Sequence, residues 1–120
     1  VQVTLPVRQR GNCCDVNLGL KPAAVDAAVD VLKVLADPAR LQMLAALREA
    51  SAPICVCDFT AALGLSQPTI SHHMGKLRRA GLVKVTRRGV WSFYELDAGA
   101  PAAVLDLLAQ AVALGSASSS

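Results

Sequence analysis

At 120 residues and a net charge of +3, the chain has the size of one domain with a modest core. Its hydrophobic fraction is 53%, yet only Phe59, Trp91, Phe93 and Tyr94 are aromatic, so thin Ala-, Leu- and Val-rich helices are expected rather than a bulky β core. No stretch reaches the ~18 uninterrupted apolar residues of a membrane span. The first residues carry Arg8 and Arg10 without the apolar run of a signal peptide. The expectation is therefore a cytoplasmic protein with no membrane partner, in a compartment where thiols stay reduced.

Residues 1–20 have no sustained periodicity and contain Pro6, Gly11, Asn12, Asn17 and Gly19, which predicts a flexible arm carrying Cys13 and Cys14. Residues 21–114 form the expected domain. Pro22 opens a helix with Val25, Ala28, Val29, Leu32 and Leu35 at helical spacing. Asp37 caps a second helix with Pro38 at its first position, and Leu41, Leu44, Ala45 and Leu47 face inward.

Cys55 to Leu63 reads as a short third helix, stopped by Gly64. Ser66 caps a fourth that ends near Gly81, and the short Gly-containing turn between the two is that of a helix–turn–helix. The β-branched and aromatic runs 82–87 and 90–96 flank Arg88-Gly89 as a hairpin with a basic tip. A last helix over about 100–114 carries Val104, Leu107, Leu108, Ala111 and Leu114, and 115–120 reads as a flexible tail. The predicted class is mainly α with a small β-hairpin: a winged helix–turn–helix, homodimeric through its terminal helices.

Charge is polarised along this scheme. Between Ser66 and Tyr94 lie six basic residues and no acid, the footprint of a nucleic-acid binder rather than of a mixed solvated face. On the fourth helix Ile70, Met74 and Leu77 share the anchoring side, while Thr69, His72, Lys76 and Arg79 share the side open to a major groove. Gln67 can pair with adenine and Thr69 can touch a thymine methyl. Ser71, Lys76 and Arg79 suit phosphates, and Arg87 and Arg88 suit the backbone or the adjacent minor groove. Of His72 and His73, one is expected to pack against the core and the other to lie in solvent or near DNA. The expected partner is double-stranded operator DNA.

Three segments, Ala36-Asp37-Pro38-Ala39-Arg40-Leu41, Cys55-Val56-Cys57-Asp58 and Ser66-Gln67-Pro68-Thr69-Ile70-Ser71-His72-His73, resemble in order and spacing the signatures of the ArsR/SmtB metal-sensing repressors. The resemblance spans about residues 25–96. It implies a homodimeric winged-helix repressor whose ligand weakens operator binding. Arsenite- and antimonite-responsive members carry a further cysteine three residues after the second of the Cys-Val-Cys pair, where this chain has Thr60. Cys13 and Cys14 are the obvious replacements.

Residues two apart on a helix point about 200° apart, so Cys55 and Cys57 are not expected to bind one ion unless the helix start unwinds. As(III) or Sb(III), the expected inducer, would take Cys13, Cys14 and one helix cysteine, with Cys55 favoured. A helix N-terminus would favour thiolate at Cys57, although Asp58 opposes it. A four-thiolate Cd(II) or Pb(II) site using Cys13, Cys14, Cys55 and Cys57 is the alternative, and a thiol redox switch a further one. One of Cys55 and Cys57 could instead be a small buried hydrophobe. The last helix offers only Asp106 and no histidine, unlike the zinc or nickel site of some relatives. The sequence contains no nucleophile–base pair with an orienting acid, no phosphate-cradling glycine loop and no Cys-x-x-Cys, so neither an enzyme nor a small organic substrate is expected.

Overall fold

A computed structural model describes residues 3–13 and 15–118; the predicted ligand Cys14 lies outside them. Helices α1 (Pro22–Leu35), α2 (Pro38–Glu49), α3 (Val56–Leu63), α4 (Gln67–Arg79) and α5 (Ala102–Ser118) accompany strands β1 (Ile54–Cys55), β2 (Val83–Arg88) and β3 (Trp91–Leu96). The arm that precedes α1 has no helix or strand among its described residues, and all of these are exposed. Its hydrogen bonds, such as Gly19 N–H to Asn17 Oδ1 at 2.9 Å, are local.

Local chemistry sets the helix starts. Asp37 Oδ2 accepts the Arg40 N–H at 3.0 Å, and Ser66 Oγ accepts the Thr69 N–H at 3.3 Å, so each side chain satisfies one backbone donor that the first turn leaves open. Gly64, at φ +67°, closes α3 in a conformation that costs a residue with a Cβ about 1 kcal/mol or more.

The core lies where α2, α3 and α4 meet the sheet. Met43, Leu44, Ile70, Met74 and Leu77 are fully buried, joined by Phe59, Val83 and Tyr94. Each such side chain stabilises the fold by roughly 1.5–3 kcal/mol relative to exposure. The terminal helices bury much less. Of α1 only Leu35 enters the core, while Val25, Val29 and Leu32 are exposed; on α5 Leu108 is buried and Leu107 is exposed.

Three details differ from the sequence-based expectation. The sheet has three strands, in the order β1-β3-β2, because Ile54 and Cys55 pair with Tyr94 and Phe93. Two residues are too few to carry a strand periodicity. The hairpin turn is Gly89-Val90 rather than Arg88-Gly89, since Arg88 pairs with Trp91 and Gly89 supplies the positive φ, +60°. Helix α5 runs to Ser118, through most of the segment expected to be a tail. Small Ala and Ser residues do not obstruct the last turns, and Ser116 Oγ donates to the Val112 carbonyl at 3.2 Å.

Candidate DNA interface and thiol site

Helix α4 divides as its wheel requires. Ile70, Met74 and Leu77 are fully buried, and Gln67, Thr69, Ser71, His72 and Arg79 are exposed, with Lys76 half-buried. The hydrophobic anchors hold the helix down while its polar side stays presented. Arg87 and Arg88 are exposed at the end of β2. Lys84 is drawn instead to Glu95, 3.6 Å away across the hairpin. The guanidinium of Arg79 folds over Gly75, where a Cβ would lie 3.4 Å from Nη1, so the glycine faces a side chain rather than an approaching backbone.

The two histidines separate as expected: His72 is exposed and His73 turns inward. What His73 meets there was not legible in the sequence. Arg40 is buried, donating through Nε to the Val34 carbonyl at 2.7 Å and through Nη2 to that of Lys33 at 3.3 Å. Its Nη1 lies 3.1 Å from His73 Nδ1 and 4.0 Å from the Asp37 carboxylate.

Because an arginine can only donate, Nδ1 must accept, which requires neutral His73 with its proton on Nε2. Burial foremost holds the His73 pKa below the ordinary histidine value, with Arg40, His72 and Lys76 adding to the effect and Asp37 opposing it. The backbone N–H of Arg40 is the main cause of the lowered Asp37 pKa. This cluster ties the end of α1, the start of α2 and helix α4 together.

The cysteines correct the expected geometry. Cys55 precedes α3 in an extended conformation, φ −73° and ψ 145°, and pairs with Phe93 in the sheet. The helical wheel therefore does not apply to it. Its Sγ lies 3.0 Å from that of Cys57, and Asp58 Oδ2 accepts the Cys55 N–H at 3.3 Å, holding the turn. Two sulfurs bonded to one ion at ~2.3 Å each lie no more than about twice that distance apart, so at 3.0 Å this pair is close enough to share one.

Cys55 is buried and Cys57 exposed. The Cys57 thiol donates to Cys55 Sγ, which above all raises its pKa; desolvation and the charges of Cys55 and Asp58 act in the same direction, and the Asp58 backbone N–H opposes them. The expected pull of the helix start towards thiolate at Cys57 is present but outweighed, with Asp58 opposing it as expected. Thr60, at the position where the family resemblance implies a third cysteine, donates its hydroxyl to the Cys57 carbonyl, 2.7 Å away.

Cys13 is exposed on the arm. Among the described residues no three His, Cys, Asp or Glu side chains converge as a metal site, so of the expected ligands the structure brings together Cys55 and Cys57. The pair opens on a cleft of about 310 Å³ lined also by Val56, Gln67, Ser71, Val90, Trp91 and Ser92. One wall therefore belongs to the N-terminal part of α4 and another to the hairpin. Sequence spacing alone does not reveal that the thiols and these residues share a space.

Helices α3 and α4 with the β2–β3 wing define a winged helix–turn–helix, the fold of DNA-binding regulators. The sequence profile of the bacterial regulatory protein arsR family matches residues 37–85. An uncharacterised HTH-type transcriptional regulator of Methanocaldococcus jannaschii is 42% identical over 69 residues, 58% of this chain and 76% of the relative. The arsenic resistance transcriptional regulator ArsR1 of Pseudomonas putida is 46% identical over 72 residues, 59% of this chain and 55% of the relative. A homodimeric winged helix–turn–helix DNA-binding domain from Mycobacterium bovis superposes with a TM-score of 0.65 at 27% identity, covering 89% of this chain and 94% of that one. The chain belongs to the ArsR family.

Proposed function

We propose that this chain is a homodimeric, cytoplasmic transcriptional repressor that releases operator DNA when As(III) or Sb(III) binds its cysteine thiolates. The observation that carries the reading is the convergent Cys55–Cys57 pair, 3.0 Å apart, beside the start of the recognition helix. The arsenic resistance regulator of Pseudomonas putida supports the choice of inducer by its name. The donor set fits a soft ion. Cys55 and Cys57 supply two sulfurs, and Cys13 or Cys14, from the same arm or from the partner's, supplies the third. Trivalent arsenic bonds three thiolates in a pyramid, which is the chemistry the bound inducer contributes.

On DNA, Gln67 and Thr69 read base edges, with His72 beside them facing the groove. Ser71, Lys76 and Arg79 hold phosphates, and Arg87 and Arg88 hold the backbone or minor groove from the wing. The dimer covers the apolar stripe Val25, Val29 and Leu32 of α1 and Leu107 of α5, which are exposed in the single chain. Its two recognition helices then address half-sites ~34 Å apart or a multiple of that.

Release requires only that the inducer-bound thiols favour a conformation unsuited to DNA. Gln67, Ser71 and the wing border the same cleft as the sulfurs, so the coupling is short-range. A coupling of ~1–3 kcal/mol gives roughly 5- to 150-fold release.

The convergence of Cys55 and Cys57 also favours a second reading, a four-thiolate Cd(II) or Pb(II) site completed by both Cys13 and Cys14. Titrating arsenite, antimonite, cadmium, lead and zinc against the protein on a duplex selected from random DNA separates the two. Release by arsenite and antimonite is expected. Release by cadmium or lead alone would replace the first reading with the second, and release by none would remove both.

A further inference from the structure

We propose that Arg40 and His73 are positioning residues for operator binding: their hydrogen bond locks α4 to the end of α1 while His73 is neutral, and a proton on His73 unlocks it and weakens the grip on DNA. The proposal rests on the reading of α1 as a dimer helix and α4 as the DNA-reading helix, and on no property of the cysteines.

Two missing backbone donors create the joint. The Asp37 N–H turns to the Leu35 carbonyl at 2.9 Å, and Pro38 has no N–H. The carbonyls of Lys33 and Val34 therefore lack the donors that a continuing helix would supply. Arg40 fills both places, through Nη2 at 3.3 Å and Nε at 2.7 Å, and keeps Nη1 for His73 Nδ1 at 3.1 Å. At 8% exposure it is the one buried charged residue among those described. Beyond the joint, α1 and α4 part around a groove of about 520 Å³, lined by Asp30, Val31 and Val34 on one side and Lys76, Arg79 and Ala80 on the other. Close packing does not fix the two helices along that stretch; the guanidinium bridge does. In a dimer joined through α1, the bridge thus sets where each α4 stands relative to its partner.

A second arrangement is at hand. A protonated Nδ1 cannot accept from Arg40, and two cations would face each other at 3.1 Å. The Asp37 carboxylate, 3.9 Å from Nδ1, is the alternative partner. The charges acting on the ring are those of Asp37 and Arg40 from α2 and of His72 and Lys76 on α4. From α1 come the two carbonyls that Arg40 holds, and Asp30 borders the groove with Lys76. Burial and the three basic neighbours outweigh Asp37 and keep the ring neutral in the locked state. As pH falls below about 6.5, the proton is taken up by the arrangement in which Arg40 has let go, so operator affinity falls with it. A proton on exposed His72 acts the other way, by adding positive charge towards DNA, and it cancels when variants at position 73 are compared at one pH.

The test measures binding of the full chain to a duplex selected from random DNA, at fixed salt between about pH 7.5 and about pH 5.5, with circular dichroism showing that each sample is folded. His73→Asn keeps an acceptor near the place of Nδ1 and cannot be protonated, whereas His73→Leu offers no acceptor. The ratio of wild-type to His73→Asn dissociation constants should rise ~3- to 10-fold across this range as pH falls. His73→Leu should bind several-fold more weakly than His73→Asn at every pH. Nitrogen NMR of the wild type should show His73 protonated on Nε2 near neutral pH, a signature that does not depend on either variant folding.

A constant ratio would overturn the proposal, as would equal binding by the Asn and Leu variants or an Nδ1–H tautomer. A wild type that binds DNA and ignores arsenite leaves this inference standing and removes the inducer reading. Failure to select any duplex removes both.

Discussion

Cys13 and the Cys55–Cys57 pair have the same side chain and opposite surroundings. Cys13 is exposed on an arm whose described residues are all exposed, whereas a strand end and a helix start hold the sulfurs of Cys55 and Cys57 3.0 Å apart. Ordering an arm costs ~1–2 kcal/mol per residue fixed, a cost already met in the folded pair. In the proposed function the pair is therefore the preformed part of the site, to which an arm thiol would add affinity as a tethered ligand. The same contrast separates a part of the chain that carries stability from one that does not.

The largest expected effect breaks the comparison at the core. Met74→Ala should destabilise the protein by ~2–5 kcal/mol, since the side chain is fully buried and leaves a cavity. Deleting residues 3–20 should change stability by no more than ~0.5 kcal/mol. Urea denaturation of the two variants checks both, and a loss above ~1 kcal/mol on deletion would mean that the arm packs on the fold.

Next comes DNA recognition. Gln67→Ala should cost ~1–3 kcal/mol at one base pair only. Arg87→Ala should weaken all sequences alike and reduce the salt slope by about one. Binding to a panel of single-substituted operators distinguishes them, and uniform weakening by Gln67→Ala would remove it from base reading. Because Gln67 lines the thiol cleft and the arm does not enter this assignment, the arm-deleted chain should give the same pattern.

The smallest effect is a pH dependence. The folded state disfavours a proton on His73, whose ordinary value is 6.5, so its contribution is complete above about pH 6.5 and is lost as pH falls below it. Asp37 is lowered from 3.8, so its contribution is present above that pH and is lost as pH falls through its lowered value. His73→Gln keeps an acceptor for Arg40 and cannot be protonated. It should flatten the stability profile below about pH 6.5 without altering the response to the arm deletion. An unchanged profile would show that His73 does not titrate on unfolding.

Much of the fold was legible because it depends on local chemistry: Asp37 and Ser66 as caps, Gly64 as a stop, and the basic hairpin. The alternation of Ile70, Met74 and Leu77 with polar neighbours likewise separated the two sides of α4. What escaped depends on tertiary placement. Strand β1 is two residues long and exists because β3 has an edge for it. The Asp37–Arg40–His73 cluster joins residues 33 apart in sequence, and a motif string does not say that Arg40 is buried against backbone carbonyls.

For the thiol pair the error was specific. A helical angle was applied to Cys55, which sits in a strand, so two convergent sulfurs were expected to diverge. That geometry lets Cys57, expected as a ligand only of the four-thiolate alternative or of an unwound helix start, join Cys55 in the proposed three-thiolate site as well.

Arsenite titration of operator-bound Cys57→Ser therefore tests the central claim most directly. Cys57 is exposed, so the substitution should leave the fold and operator affinity intact. The account predicts that the variant stays on DNA at arsenite concentrations that fully release the wild type. Release of Cys57→Ser at the wild-type concentration would contradict it and return the site to Cys55 and the arm.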